Sequence, residues 1–300
     1  MLLHLFSGRR RPGDLQQYAE TDGFGHNRPT IALSVDIVVH LEYGNALLHK
    51  TRALFKAAIQ QGLITAIVAG PPCQVSQARE RGHDSKGQQS RGPRPLRSRA
   101  HPEGLTELRI KEVKQIISSN LLWGASIALA TASWMAGSIF ILEHPAEPRR
   151  KEAASIWRLD VIQMLLKAKG IRKLTLHQGL YGARSPKPTT FLLVHGPSEP
   201  EAIARQYQTT AVMPPPLAMG KDERGQYRTA PLKEYLPGLC KCLTALVRTA
   251  LQESQARPQG ECTSPLTEFP ALAQLHDELE GQSQQEMGPD CNAQALEAMR

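Results

Sequence analysis

Ile64-Thr65-Ala66-Ile67-Val68-Ala69-Gly70-Pro71-Pro72-Cys73 is the stretch on which the reading of this chain turns. Six apolar or β-branched residues in a row suit a strand buried on both faces, and such strands belong to parallel sheets. Two prolines then fix φ and remove two N–H donors, so the strand stops abruptly and the Cys73 thiol is expected at its carboxyl end. In open α/β sheets that edge is where ligands bind.

Outward from this strand, the pattern alternates. Leu2–Phe6, Thr30–Asp36, Ser138–Leu142, Arg172–Leu176 and Thr189–Val194 read as further strands. Asp14–Glu20, Asn45–Gln61, Leu105–Met135, Ala153–Ala168 and Pro237–Leu251 read as helices, the second ended by Gly62 and the fourth by Gly170. Alternation of this kind predicts an α/β fold: a doubly wound, mostly parallel, Rossmann-like sheet with helices on both faces. Four strand ends carry chemical groups: Phe6-Ser7-Gly8, Asp36, Cys73 and Glu143-His144-Pro145. A glycine after the first strand lets backbone approach a cofactor closely, and an acid after the second suits ribose hydroxyls.

Composition narrows the function class. The 300 residues carry a net charge of +8, but residues 253–300 hold nine acids against two arginines, a balance of −7 that leaves +15 on residues 1–252. An excess of that size points to a polyanionic partner. The tail from 253, rich in Gln, Pro, Gly and Glu, is expected to be a disordered acidic appendage to a domain spanning 1–252. The most apolar stretch, Leu121 to Leu142, is broken by Gly124, Ser126, Thr131, Ser133, Gly137 and Ser138, so no membrane partner is expected. Five cysteines without framework spacing point to an intracellular, reducing compartment, and Cys240-Lys241-Cys242 lacks a second pair at zinc-site spacing. Residues 70–103 read as a long mobile loop with Arg79, Arg81, Lys86, Arg91, Arg94, Arg97 and Arg99 against three acids. Arg79, Arg81, Arg91, Arg94, Arg97 and Arg99 are candidate phosphate contacts, the alternative being a solvated charge run.

Taken together, these motifs resemble the cytosine-C5 DNA methyltransferase family from Leu3 to about Val194, with a weaker echo to Leu251. Leu5-Phe6-Ser7-Gly8 is similar to the family's cofactor loop, Val68-Ala69-Gly70-Pro71-Pro72-Cys73-Gln74 to its nucleophile motif, and Leu142-Glu143-His144-Pro145 to its glutamate motif. Tyr181 to Lys187 looks like the stretch whose polar and basic residues support the site.

The resemblance implies S-adenosylmethionine as cofactor, contacted by Phe6, Ser7, Gly8, Asp36 and Pro71. It implies Cys73 as the nucleophile on C6 of a flipped cytosine, Glu143 as a protonated partner of N3, and Arg184 and Lys187 in support. DNA is the implied substrate, in the nucleus if the source is eukaryotic. RNA, used by one branch of the family, and a non-catalytic nucleic-acid-binding module on the same fold remain alternatives. A Cys73/His144 hydrolase is a more distant one. The chain departs from the family pattern in several places. Arg10 is expected to crowd the cofactor, no acid stands near Thr51-Arg52, and His144-Pro145 follows the glutamate. The C-terminal motif shrinks to Glu234-Tyr235-Leu236-Pro237, and only residues 196–235 are left for target recognition.

Overall fold

Six strands form one sheet in the order β2-β1-β3-β4-β6-β5. They are β1 (Leu2–Leu5), β2 (Ala32–Val35), β3 (Ala66–Ala69), β4 (Ile139–Pro145), β5 (Ile171–His177) and β6 (Pro188–Val194). The computed structural model describes residues 1–22, 30–41, 43–72, 94–215 and 234–256. β1 pairs in parallel with β2 and β3, and β3 with β4. β6 runs antiparallel between β4 and β5. Every strand but β6 therefore points its carboxyl end to one edge, and the α/β, mostly parallel architecture is as expected. The tail expected to be disordered from 253 begins in order: residues 253–256 are the last turn of the helix Pro237–Ala256, and the Glu253 carboxylate accepts from Ser198 N and Oγ, while residues 257–300 lie outside the described residues.

Helices α1 (Leu15–Asp22), α2 (His49–Gln60), α3 (Ile110–Met135), α4 (Asp160–Leu165), α5 (Pro200–Gln206) and α6 (Pro237–Ala256) cover the two faces. Alternate side chains of a strand point to opposite faces, so each strand feeds two cores. On one face Leu3, Leu5, Phe140 and Leu142 pack with Phe55 and Ile59 of α2, Trp123 and Trp134 of α3, and Trp157. On the other, Leu2, Val68, Ile139 and Ile141 pack with Leu15 of α1 and Leu239, Leu243, Leu246 and Val247 of α6. Among the described residues α3 alone is long and apolar enough to cross a membrane, and most of its apolar stretch is buried inside this fold.

The helix Pro200–Gln206 is not among those expected, and α3 starts at Ile110 and α6 ends at Ala256 rather than at Leu105 and Leu251; three further departures have a local reason. The helix expected over 153–168 is a single 3-10 turn, Ile156–Arg158, followed by the short α4. Ser155 caps the Trp157 amide, the Trp157 indole donates to the Pro145 carbonyl at 2.8 Å, and Arg158 donates to the carbonyls of Lys151 and Ala153. The Trp157 amide and the Ala153 carbonyl, which a continuous helix would have paired with each other, are thereby taken by Ser155 and Arg158. Likewise, α2 starts at His49 rather than Asn45, because the Asn45 side chain accepts from Leu47 N and Arg52 caps the carbonyls of Ala46 and Leu47. β4 runs past Leu142 through Pro145, which puts Glu143 inside the ladder opposite Phe191.

Candidate active site

The chain leaves β1 toward β2 on one side and later builds β3 and β4 on the other, so the topological switch point lies between β1 and β3. Phe6-Ser7-Gly8 sits at the β1 end of that crevice. Phe6 takes a left-handed conformation (φ 58°) and donates its amide to Val35, while Gly8 (φ 67°) donates to Asp36 Oδ2 at 2.9 Å. The other carboxylate oxygen of Asp36 accepts from Val38 N at 2.8 Å. The loop after β1 is thus latched to the end of β2, and a Cβ added at Gly8 would meet open space.

Gly70, next to Leu5 across the ladder, ends β3 under close constraint. A Cβ at this position would stand 2.4 Å from the Tyr235 hydroxyl and 3.4 Å from Glu143 Oε2. Only a glycine lets β3 pass between those two side chains. Pro71 is buried and Pro72 exposed. Cys73, the proposed nucleophile, follows them in sequence and lies outside the described residues, as do Arg79, Arg81 and Arg91.

Glu143 is 6% exposed. Its Oε1 accepts from Gln178 Nε2 at 3.5 Å and lies 3.8 Å from Lys187 Nζ. Burial pushes its carboxyl up from the ordinary range, and Lys187 offsets part of that rise. The reversed β6 explains how both partners arrive: Gln178 follows the end of β5 and Lys187 precedes β6, so one turn brings them to the carboxyl edge. That turn is tied by Gln178 N and Gly179 N to the carbonyls of Lys187 and Pro186, and by Gln178 Nε2 to Thr189 Oγ1 at 3.0 Å. Arg184, in the same turn, is exposed.

His144, one residue on, points to the opposite face. Its buried ring makes edge contacts with Trp123 and Trp157, at centroid distances of 4.8 and 6.1 Å, and burial pulls its pKa down to about 3. It faces away from Glu143, so it serves as packing and the hydrolase alternative loses its base.

Residues 234–237 strap the Glu143 side of the sheet. Arg11 donates to the Tyr235 carbonyl at 2.5 Å and pairs with Glu234 at 3.5 Å, while the Tyr235 ring stacks on His4 at 5.9 Å. His4 is buried with its Nδ1 unpartnered among the described residues, and burial lowers its pKa to about 4. Arg10, expected to crowd a cofactor, places its guanidinium 2.5 Å from Asp14. Sequence reasoning assigned no role to Gln178, His4 or Tyr235. Gln178 at a strand end was the one readable signal among them, since the other two depend on distant chain segments meeting.

The described part of the basic loop is largely scaffold. Arg94 grips Glu112 with two bonds, 3.0 and 2.6 Å, and with the Arg109 amide this holds the Glu112 carboxyl down to about 2. Glu112 lies in the first turn of α3, where an anion suits the helix dipole. Arg97 is buried and donates to Pro102 O at 2.5 Å and Asn120 Oδ1 at 2.7 Å, with its pKa lowered by burial to about 10. Arg99 is exposed. Compared with family models, with curated proteins and with solved structures, the chain finds no match in any of the three.

Proposed function

We propose that this protein transfers a methyl group from S-adenosylmethionine to C5 of cytosine in DNA, through a covalent adduct on Cys73. The observation that carries the reading is the burial of Glu143 against Gly70, the residue that opens Gly70-Pro71-Pro72-Cys73. A carboxyl whose pKa is raised by burial retains a proton at higher pH, and a protonated carboxyl can donate to the ring nitrogen of a base. Lys187 and Gln178 hold its Oε1 in place.

The crevice residues suit the cofactor on two counts. Gly8 leaves open space at the β1 turn, and each Asp36 oxygen accepts one backbone amide while keeping a lone pair for a ribose hydroxyl. Phe6, Ser7, Gly8, Asp36 and Pro71 hold it in this reading, and the group supplies an electrophilic methyl. Cys73 adds to C6 while Glu143 hydrogen-bonds N3, which makes C5 nucleophilic. Once C5 carries the methyl and the donor has left as a neutral thioether, loss of the C5 proton to water would expel the Cys73 thiolate and restore the aromatic ring.

The test is a duplex carrying 5-fluorocytosine incubated with protein and S-adenosylmethionine, because fluorine blocks the final elimination. We expect a protein–DNA adduct stable to denaturant, absent in Cys73→Ser, and formed about 10²–10⁴-fold more slowly in Glu143→Gln. Adduct on an RNA hairpin but not on the duplex would move the substrate to RNA. Nucleic-acid binding with neither adduct nor tritiated methyl transfer would leave a binding module and sink the enzyme.

A further inference from the structure

We infer that the turn Glu147–Ala153, together with Arg99, is a preformed docking surface for the phosphodiester backbone of a nucleic acid. This inference rests on the nucleic-acid reading above; of the arginines that the sequence singles out it keeps Arg99 and adds the turn after β4. Arg99, Arg149, Arg150 and Lys151 are all exposed, with Glu152 the one exposed acid among them apart from the paired Glu147. The two segments are joined by the Arg99 amide, which donates to the Glu152 carbonyl at 2.8 Å.

Arg158 makes the turn rigid from beneath. Its guanidinium lies 2.6 Å from Glu147 Oε1 and donates to the carbonyls of Lys151 and Ala153 at 2.8 and 3.0 Å. It thereby neutralises the acid that would otherwise oppose an incoming phosphate, and it fixes the backbone that carries Arg149 to Lys151. Ala153 and Ala154 are buried, and the Trp157 indole bond to Pro145 O closes the other end. A surface already ordered loses little conformational entropy on binding.

Its position suits the proposed chemistry. The turn follows Glu143-His144-Pro145 at the end of β4 by one residue, Ala146, whose amide donates to the Pro188 carbonyl at 3.0 Å, beside Lys187. Backbone phosphates seated on the turn would lie at the carboxyl edge of the sheet, where a flipped base must enter. The other face of the same strand end is filled by Trp123, His144 and Trp157, which excludes a strand from that side.

The deciding experiment measures affinity of the full chain for a cytosine-containing DNA duplex and an RNA hairpin as a function of salt, with no cofactor present. Arg149→Ala/Lys151→Ala should flatten the slope of log affinity against log salt by about 0.9 per lost contact on the duplex, or about 0.7 on single-stranded regions. The charge-matched control, Lys167→Ala/Lys169→Ala, removes two exposed lysines at the opposite edge of the sheet and should keep the wild-type slope. The wild-type preference between the two nucleic acids names the source of the phosphates. An unchanged slope in the first variant, an equal fall in both, or no binding by the wild type overturns the proposal. Because binding is read without methyl transfer, a failed adduct assay with a normal salt response would refute the chemistry and leave this surface standing.

Discussion

Glu143 and His144 are neighbours in one strand, both almost completely buried, and the two faces of the sheet treat them in opposite ways. The α3 face closes two tryptophans around the imidazole, so His144 is held neutral as a space-filling ring. On the α6 face, the carboxyl meets Gln178, Lys187, Gly70 and the side of the sheet strapped by Tyr235. Burial of an ionisable group therefore does not by itself mark a site. Convergence of polar side chains does: Gln178 and Lys187 meet the carboxyl on one face, while two indole rings enclose the imidazole on the other.

The comparison breaks most visibly if the tryptophan face proves soft. Trp157 is 1% exposed, and Trp157→Ala should cost about 3–5 kcal/mol in denaturant unfolding. A loss under about 1 kcal/mol would mean that the His144 cage is not a packed core.

Acid titration separates the buried imidazoles from the buried carboxyl next. The imidazoles of His144 and His4 titrate near 3 and 4 in the fold but near 6.5 once unfolded, so the unfolded chain binds more protons below about pH 6.5. Stability should fall as pH drops from 6.5 toward 3, by on the order of 4 kcal/mol for His144 at full extent. Glu143 works in the opposite sense, since a raised folded pKa contributes stability at low pH that is lost as pH rises above the ordinary 4.5. His144→Leu should flatten the acid limb of a stability–pH curve. An unchanged limb would show that the ring is not the neutral filler described.

The α6 face is sharpened by Gly70→Ala, whose added methyl would stand 2.4 Å from the Tyr235 hydroxyl. We expect a loss of about 1–3 kcal/mol and of adduct formation, partly recovered by Tyr235→Phe in the double variant. No recovery would show that the clash lies elsewhere. Last, Arg97→Ala should cost about 1–3 kcal/mol, by removing the bonds to the Pro102 carbonyl and to Asn120 Oδ1, and leave the salt slope of nucleic-acid binding unchanged. A flatter slope would return Arg97 to the phosphate-binding set.

The architecture was legible because buried parallel strands write themselves as unbroken apolar runs: Ile64–Ala69 and Ser138–Leu142 left little choice. The end of β4 was less so, since Glu143 and His144 look like a loop until their partners across the sheet are known. Glu143 could be named from its place at a strand end, yet its environment could not. Gln178 reaches it from 35 residues away in the chain, and no local pattern encodes such a meeting. The same limit applied to Arg94 and Arg97, which read as free cations in a polar loop and are in fact engaged by Glu112, Asn120 and backbone carbonyls.

The reversal of β6 also bears on how the polypeptide emerges from synthesis. Among the described residues β6 is the last strand made, and it occupies the slot between β4 and β5, so neither earlier strand has its native neighbour on that side until residue 194 is available. A nascent or truncated chain ending after His177 would display the apolar edge of Ile139–Leu142 unpaired, a template for joining other chains. The residues that complete the Glu143 environment arrive in the same late segment, Lys187 with β6 and Tyr235 after it. The strand that covers this edge and the Lys187 that faces Glu143 therefore arrive together.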